Sequence, residues 1–268
     1  MVRKELILIA RYPINFVASF GQIFLIVAIF TLGSRTFSGN ITNPTTNGPV
    51  SGNNPSGVVI YGFILFMFIS DTLWTIGYNV RHEQVQGTLE QLYLSPASKF
   101  ASLVARVANT LLWTGLLCFA ASVLMVVMIG RLPFENPALG VYLLVMSLAG
   151  TFGVGFAFAA LTLRIREAAQ TLANLLQFAL IILCAYFFPF SALPPVLREV
   201  SRLVPLAYTV DAFRSTLMGY PHGFPELASI EVEIAIVSLF GVIMPALGYF
   251  LYRKAEDQAR HSGTLSTF

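Results

Sequence analysis

The side chains able to do chemistry in this chain are few and widely spaced. His82, His222 and His261 lie far apart, each beside polar or turn-forming residues, and no HExxH pair exists, so no metal site is expected. Cys118 and Cys184 sit in apolar runs without CxxC spacing, which argues against a disulfide framework and against zinc. A membrane-embedded enzyme would need a GxSxG turn, paired histidines or an Asp-rich metal motif, and the sequence has none of these. It has no GxxxxGK(S/T) loop either, nor a single Gly-Lys pair, so the chain cannot itself cradle ATP phosphates. The expectation is a protein that is not an enzyme and binds no metal or cofactor of its own.

Three places still gather polar side chains in a pattern. Asp71 is the one carboxylate well inside a long apolar run, where a charge is costly unless it faces protein or water. A proton or cation relay would recruit further acids or histidines at that depth, and none occurs, so a hydrogen bond to a neighbouring helix or to a second copy is favoured. The stretch Arg81 to Lys99, RHEQVQGTLEQLYLSPASK, is too polar to span and has a helical period. Val85, Leu89, Leu92 and Pro96 share one face, and Glu83, Gly87 and Glu90 share another. Such a helix lies along the membrane surface, either filling space between two spans or offering its acidic, glycine-notched face to a partner's groove. Lastly, Arg198, Glu199, Arg202, Asp211 and Arg214 fall between two apolar runs, either as solvated charges or as parts of a folded hairpin.

The elements that must position these residues are membrane helices. The chain is 56% hydrophobic and 11% charged, against about 25% charged in an ordinary globular domain. About 20 apolar residues cross a 30 Å hydrocarbon core, and six runs of that kind are present, giving expected spans at about 12–34, 58–80, 101–130, 138–163, 168–190 and 231–252. The fold class is therefore all-α, a single polytopic domain over 1–268. Eleven of the sixteen Lys and Arg residues fall on one side if both termini are cytoplasmic, which sets the orientation. The basic residues form small groups, not one patch, which disfavours nucleic acid as a partner. Thr36 to Gly57, rich in Asn, Gly, Pro, Ser and Thr, is expected as an irregular external loop. Pro194-Pro195 are expected to stop the fifth helix, with short amphipathic stretches following around Leu197 to Leu203 and Tyr208 to Leu217. Ala149, Gly153 and Ala157 give the fourth span a small-residue face for close helix packing. Glu231 and Glu233 open the sixth span, where they complement the helix dipole.

The string EQVQGTLEQLYLSP resembles the E-x-x-x-G-T-L-E-x-L-x-x-S-P signature of type 2 ABC-transporter permeases, matching at Glu83, Gly87, Thr88, Leu89, Glu90, Leu92, Ser95 and Pro96. PLAYTVDAFR is similar to that family's external P-x-x-Y-x-x-(D/E)-x-x-R segment, carried by Pro205, Tyr208, Asp211 and Arg214. The family often has Asn before that proline, whereas this chain has Val204. The resemblance implies a six-helix permease of an ATP-driven exporter in the cell membrane, of prokaryotic plasma-membrane type. It further implies a cytoplasmic coupling helix at about 82–97, docked on a separate ATPase, and an external re-entrant hairpin at about 190–227 closing the pathway. Implied partners are two ATPase subunits, which would bind ATP and Mg, a second copy of the chain or a close relative, and membrane lipid. The basic stretch with Arg3, Lys4 and Arg11 corresponds to an interfacial helix approaching the ATPase, although plain anchoring of the N-terminus explains it as well. The rival is a secondary transporter or channel working without an ATPase, which would carry several buried charges or broken helices in related halves.

Overall fold

A computed structural model describes residues 21, 55–85, 110–120, 122–123, 134–162 and 169–261. Among them all regular structure is helical, with no strand. The main helices are α1 (Pro55–Val85), α2 (Thr110–Ala120), α3 (Pro137–Thr162) and α4 (Ala169–Leu183), followed by a 3-10 turn at Phe190–Ala192. Then come α5 (Pro195–Ser201), α6 (Pro205–Leu217) and α7 (Ile230–His261). Four of these helices begin on proline, whose fixed φ suits the first turn and whose missing N–H is one that would have no helical partner there.

Among the described residues three helices are long and apolar enough to cross a bilayer: Gly57–Trp74 within α1, Pro137–Thr162, and Ile230–Ala255 within α7. Two shorter apolar helices, Thr110–Ala120 and Thr171–Leu183, fall where further spans are expected. The expected span at 12–34 and the loop Thr36 to Gly57 lie almost wholly outside the described residues. Large apolar side chains such as Phe119, Phe178, Val242 and Phe250 are exposed, as suits faces turned to lipid.

Side-chain contacts give the helix directions. Trp74 Nε1 donates to Gln177 Oε1 at 2.8 Å and Gln177 Nε2 to Ser70 Oγ at 2.8 Å, while Gly62 meets Tyr186, so α1 and α4 run antiparallel. Tyr142 meets Ser238 and Gly153 meets Met244, so α3 and α7 run parallel. The starts of α1, α3 and α7 and the end of α4 therefore share one end of the molecule, and residues 184–229 are gathered there.

Packing between α3 and α7 is the most extensive in the described structure, and glycine makes it possible. A Cβ at Gly150 would overlap the Phe240 ring, and one at Gly153 would strike the backbone of Met244 and Pro245. One at Gly248 would strike the Gly153 backbone in return. Close backbone approach of this kind is how helices associate where lipid supplies no hydrophobic drive between them. Gly153 belongs to the expected small-residue face, and Gly150 joins it at the contact. Ala149 and Ala157 are only partly buried.

One local expectation is corrected. Pro194-Pro195 do not stop the fifth helix; α4 ends at Leu183, before residue Ala185 in the left-handed region at φ 47. Pro194 instead caps α5 and Pro195 begins it.

Candidate functional site

The polar centre of the described structure is the segment 184–233, and its hub is Arg214. Located near the C-terminal end of α6, this side chain is fully buried, as is Asp211 one turn earlier. Arg214 Nη2 donates to the Ala185 and Tyr186 carbonyls at 2.9 and 3.3 Å, and Nη1 donates to Phe188 O at 3.3 Å. These carbonyls follow the end of α4, where acceptors lack helical partners and the helix dipole is negative. Gly62 of α1 makes room, since a Cβ there would overlap both Tyr186 O and the guanidinium. Burial pulls the Arg214 pKa down to about 10, against the opposing pull of Asp211 and Glu226, so the group stays charged at neutral pH.

Three carboxylates complete the network. Asp211 Oδ2 accepts the backbone N–H groups of Glu226 and Leu227 at 2.7 and 2.8 Å, fastening the 219–229 loop to α6. Glu226 accepts the N–H groups of Phe190 and Ser191 at 3.1 and 2.5 Å, fastening the same loop to the turn after α4. Burial raises the Glu226 pKa, and its bonds to Ser191 and Phe190 partly offset that. Arg198 Nη2 donates to Glu226 O at 3.2 Å and brings in α5. Glu233, in the first turns of α7, is fully buried, and its Oε1 accepts the Ala228 N–H at 3.2 Å. Its other carboxylate oxygen, Oε2, is buried without a hydrogen-bond partner.

The five charges of the 198–214 stretch therefore divide. Glu199 and Arg202 are solvated and pair with each other at 2.8 Å, Arg198 is half-buried on Glu226 O, and Asp211 and Arg214 are structural and buried. Pro205 occupies the first turn of α6. Val204 caps that helix without a side-chain bond, and Tyr208 Oη donates to Arg202 O at 3.0 Å beside it. At the other end Gly219, at φ 74, lets Tyr220 N–H reach Ser215 O at 3.0 Å in a Schellman turn. Its residues are distributed amphipathically, as expected, yet α6 is buried on nearly every face, between α7, α3 and α1. Sequence reasoning did not single out Glu226, and it gave Glu233 only a dipole role. Both lie outside the PLAYTVDAFR string, and only the folded loop brings them to Asp211.

Asp71 lies mid-way along α1, where Thr114 Oγ1 of α2 donates to its Oδ2. Asp71→Asn keeps that acceptor, so assembly should be unchanged in size-exclusion chromatography. Asp71→Leu strands a buried hydroxyl and should lower stability by about 1–3 kcal/mol. Among the described residues no cluster of three or more His, Cys, Asp or Glu could hold a metal.

The Arg81 to Lys99 segment begins as part of α1, which runs unbroken through Glu83 to Val85. Gly87, Thr88, Leu89, Glu90, Leu92, Ser95 and Pro96 lie outside the described residues, as do Arg3, Lys4 and Arg11. At 31 residues α1 is about 46 Å long, so it outreaches a 30 Å core.

Comparison with known families matches residues 34–251 to the model of the ABC-2 family transporter protein. No curated protein matches the chain.

Proposed function

Since the chain belongs to the ABC-2 family of membrane transporter proteins, we propose that it is the permease half of an ATP-driven exporter whose motor is a separate polypeptide. In this reading the chain crosses the cell membrane six times with both termini in the cytoplasm. Two copies, or one copy and a close relative, form the pathway between them. Two ATPase subunits, which bind ATP and Mg, engage the surface helix Glu83 to Pro96 and the N-terminal stretch around Arg3, Lys4 and Arg11. When ATP closes the motor dimer, that helix is displaced, and the halves move between inward-open and outward-open states.

What supports this reading is the sequence string Glu83 to Pro96, whose first three residues continue α1, a helix long enough to cross the membrane. A continuous helix with its backbone hydrogen bonds intact is stiff, so displacement at Glu83 is delivered along α1 to Asp71 and to Gly62. Gly62 is the point where α1 touches the Arg214 network. The network braces the segment that would close the outer end of the pathway, because non-helical backbone such as 184–189 needs protein around it at that position.

Purification of the tagged chain from its native membranes tests the proposal. A subunit with a Walker A loop should co-elute at one copy per permease and hydrolyse ATP. A purified chain that moved solute uphill alone would favour the secondary transporter instead.

A further inference from the structure

Beyond the charge network, the described structure holds an apolar slot of about 620 Å³ bounded by α1, α2, α3 and α6. Ile64 and Phe68 form one wall, Cys118 another, Val141 and Leu144 a third, and Phe213 closes it from the hairpin side. Its lining runs from Ile60 to Phe68 along α1 and from Pro137 to Leu144 along α3. At 1.5 Å per residue these stretches are about 10–12 Å long. That depth fits within half of a 30 Å hydrocarbon core, on the side where α1 and α3 begin.

Neither water nor vacuum suits this space. Water needs two to four polar partners, which walls of this kind do not offer, and an empty apolar cavity forfeits the contacts of every atom lining it. Gly115 shows that the room is kept open on the α2 side. A Cβ there would meet nothing within 4 Å, although alanine is the better helix former. By contrast, a Cβ at Gly140, across the slot, would overlap Leu217, so that glycine serves packing.

We infer that this slot is a binding site for an acyl chain of a membrane lipid, inserted from the surrounding leaflet between α2 and α3 and resting against α6. Bilayer hydrocarbon is the one apolar, unbranched material present at that depth at all times. The site's size and near-absence of polar groups match it, and they give a headgroup no partner inside the slot. Because the chain touches Phe213 and Leu217, occupancy supports the helix that carries Asp211 and Arg214. The inference rests on the slot alone and does not depend on an ATPase partner.

The test is photolabelling in nanodiscs with a phosphatidylcholine bearing a diazirine on one acyl chain, with residue-level mass spectrometry. Cys118 is only 6% exposed, so bulk lipid does not reach it, whereas Phe178 is 67% exposed. Wild-type Cys118 and Ile64 should be labelled at least as strongly as Phe178. Gly115→Trp, which fills the slot, should lower labelling at Cys118 and Ile64 at least fivefold and leave Phe178 unchanged, and Gly115→Ala should have a smaller effect. Excess unlabelled phosphatidylcholine should compete at Cys118. Labelling of wild-type Cys118 and Ile64 far below Phe178 would overturn the inference, even if Gly115→Trp fails to fold. A folded Gly115→Trp protein labelled like the wild type would overturn it too.

Discussion

Arg214→Ala is expected to destabilise the protein by about 3–5 kcal/mol, the usual cost of removing one partner from a buried ionic cluster. The deletion leaves Asp211 and Glu226 without their buried cation. It also leaves the Ala185, Tyr186 and Phe188 carbonyls without their guanidinium donor. Arg214→Lys should rescue little, since one ammonium on a flexible stem cannot reproduce a planar fork serving three carbonyls. Enlarging Gly62 should mimic the loss, because a side chain there displaces the same guanidinium. The measurement is the temperature at which the detergent-solubilised protein loses its monodisperse chromatographic peak. An unchanged temperature for Arg214→Ala would remove the network from any structural role.

The second large effect is expected on partnership, not on folding. Reversing Glu83 and Glu90 together to arginine puts two positive charges on the face proposed to meet the ATPase, and like-charge juxtaposition at a docking surface costs several kcal/mol. Retention of the ATPase through purification should fall by at least tenfold, while the elution volume and thermal stability of the permease stay at wild-type values. Full retention together with full ATP hydrolysis would show that the helix does not dock there.

How far the sequence foretold this structure differs from place to place. The apolar runs at 58–80, 138–163 and 231–252 foretell helices because length and hydropathy are local properties, and α1, α3 and α7 cover them. The short helices α5 and α6 overlap the stretches expected around Leu197 to Leu203 and Tyr208 to Leu217, although Pro195, read there as part of a helix stop, begins α5, and Pro205 begins α6. Burial was not legible. A string such as VDAFR reads equally as solvated, and only the partners at 185–188 and 226–233, drawn from other parts of the chain, make Asp211 and Arg214 internal. The Trp74, Gln177 and Ser70 contacts were hidden for the same reason, since they join residues more than a hundred positions apart. The end of α4 was misplaced because proline is a stronger sequence signal than a left-handed alanine, although at Ala185 the latter ends the helix.

The most direct test of a separate motor driving this chain is a distance measured with and without nucleotide. Leu203, 82% exposed between α5 and α6, can be changed to cysteine and spin-labelled, with the buried free thiols Cys118 and Cys184 replaced by alanine. In a dimer reconstituted with its ATPase, pulsed electron-electron resonance should show the Leu203 pair shift to a new distance when ATP and vanadate trap the motor. The same dimer without the ATPase should show no shift. An unmoved distance in the trapped complex, or an equal shift in the permease alone, would contradict the coupling proposed here.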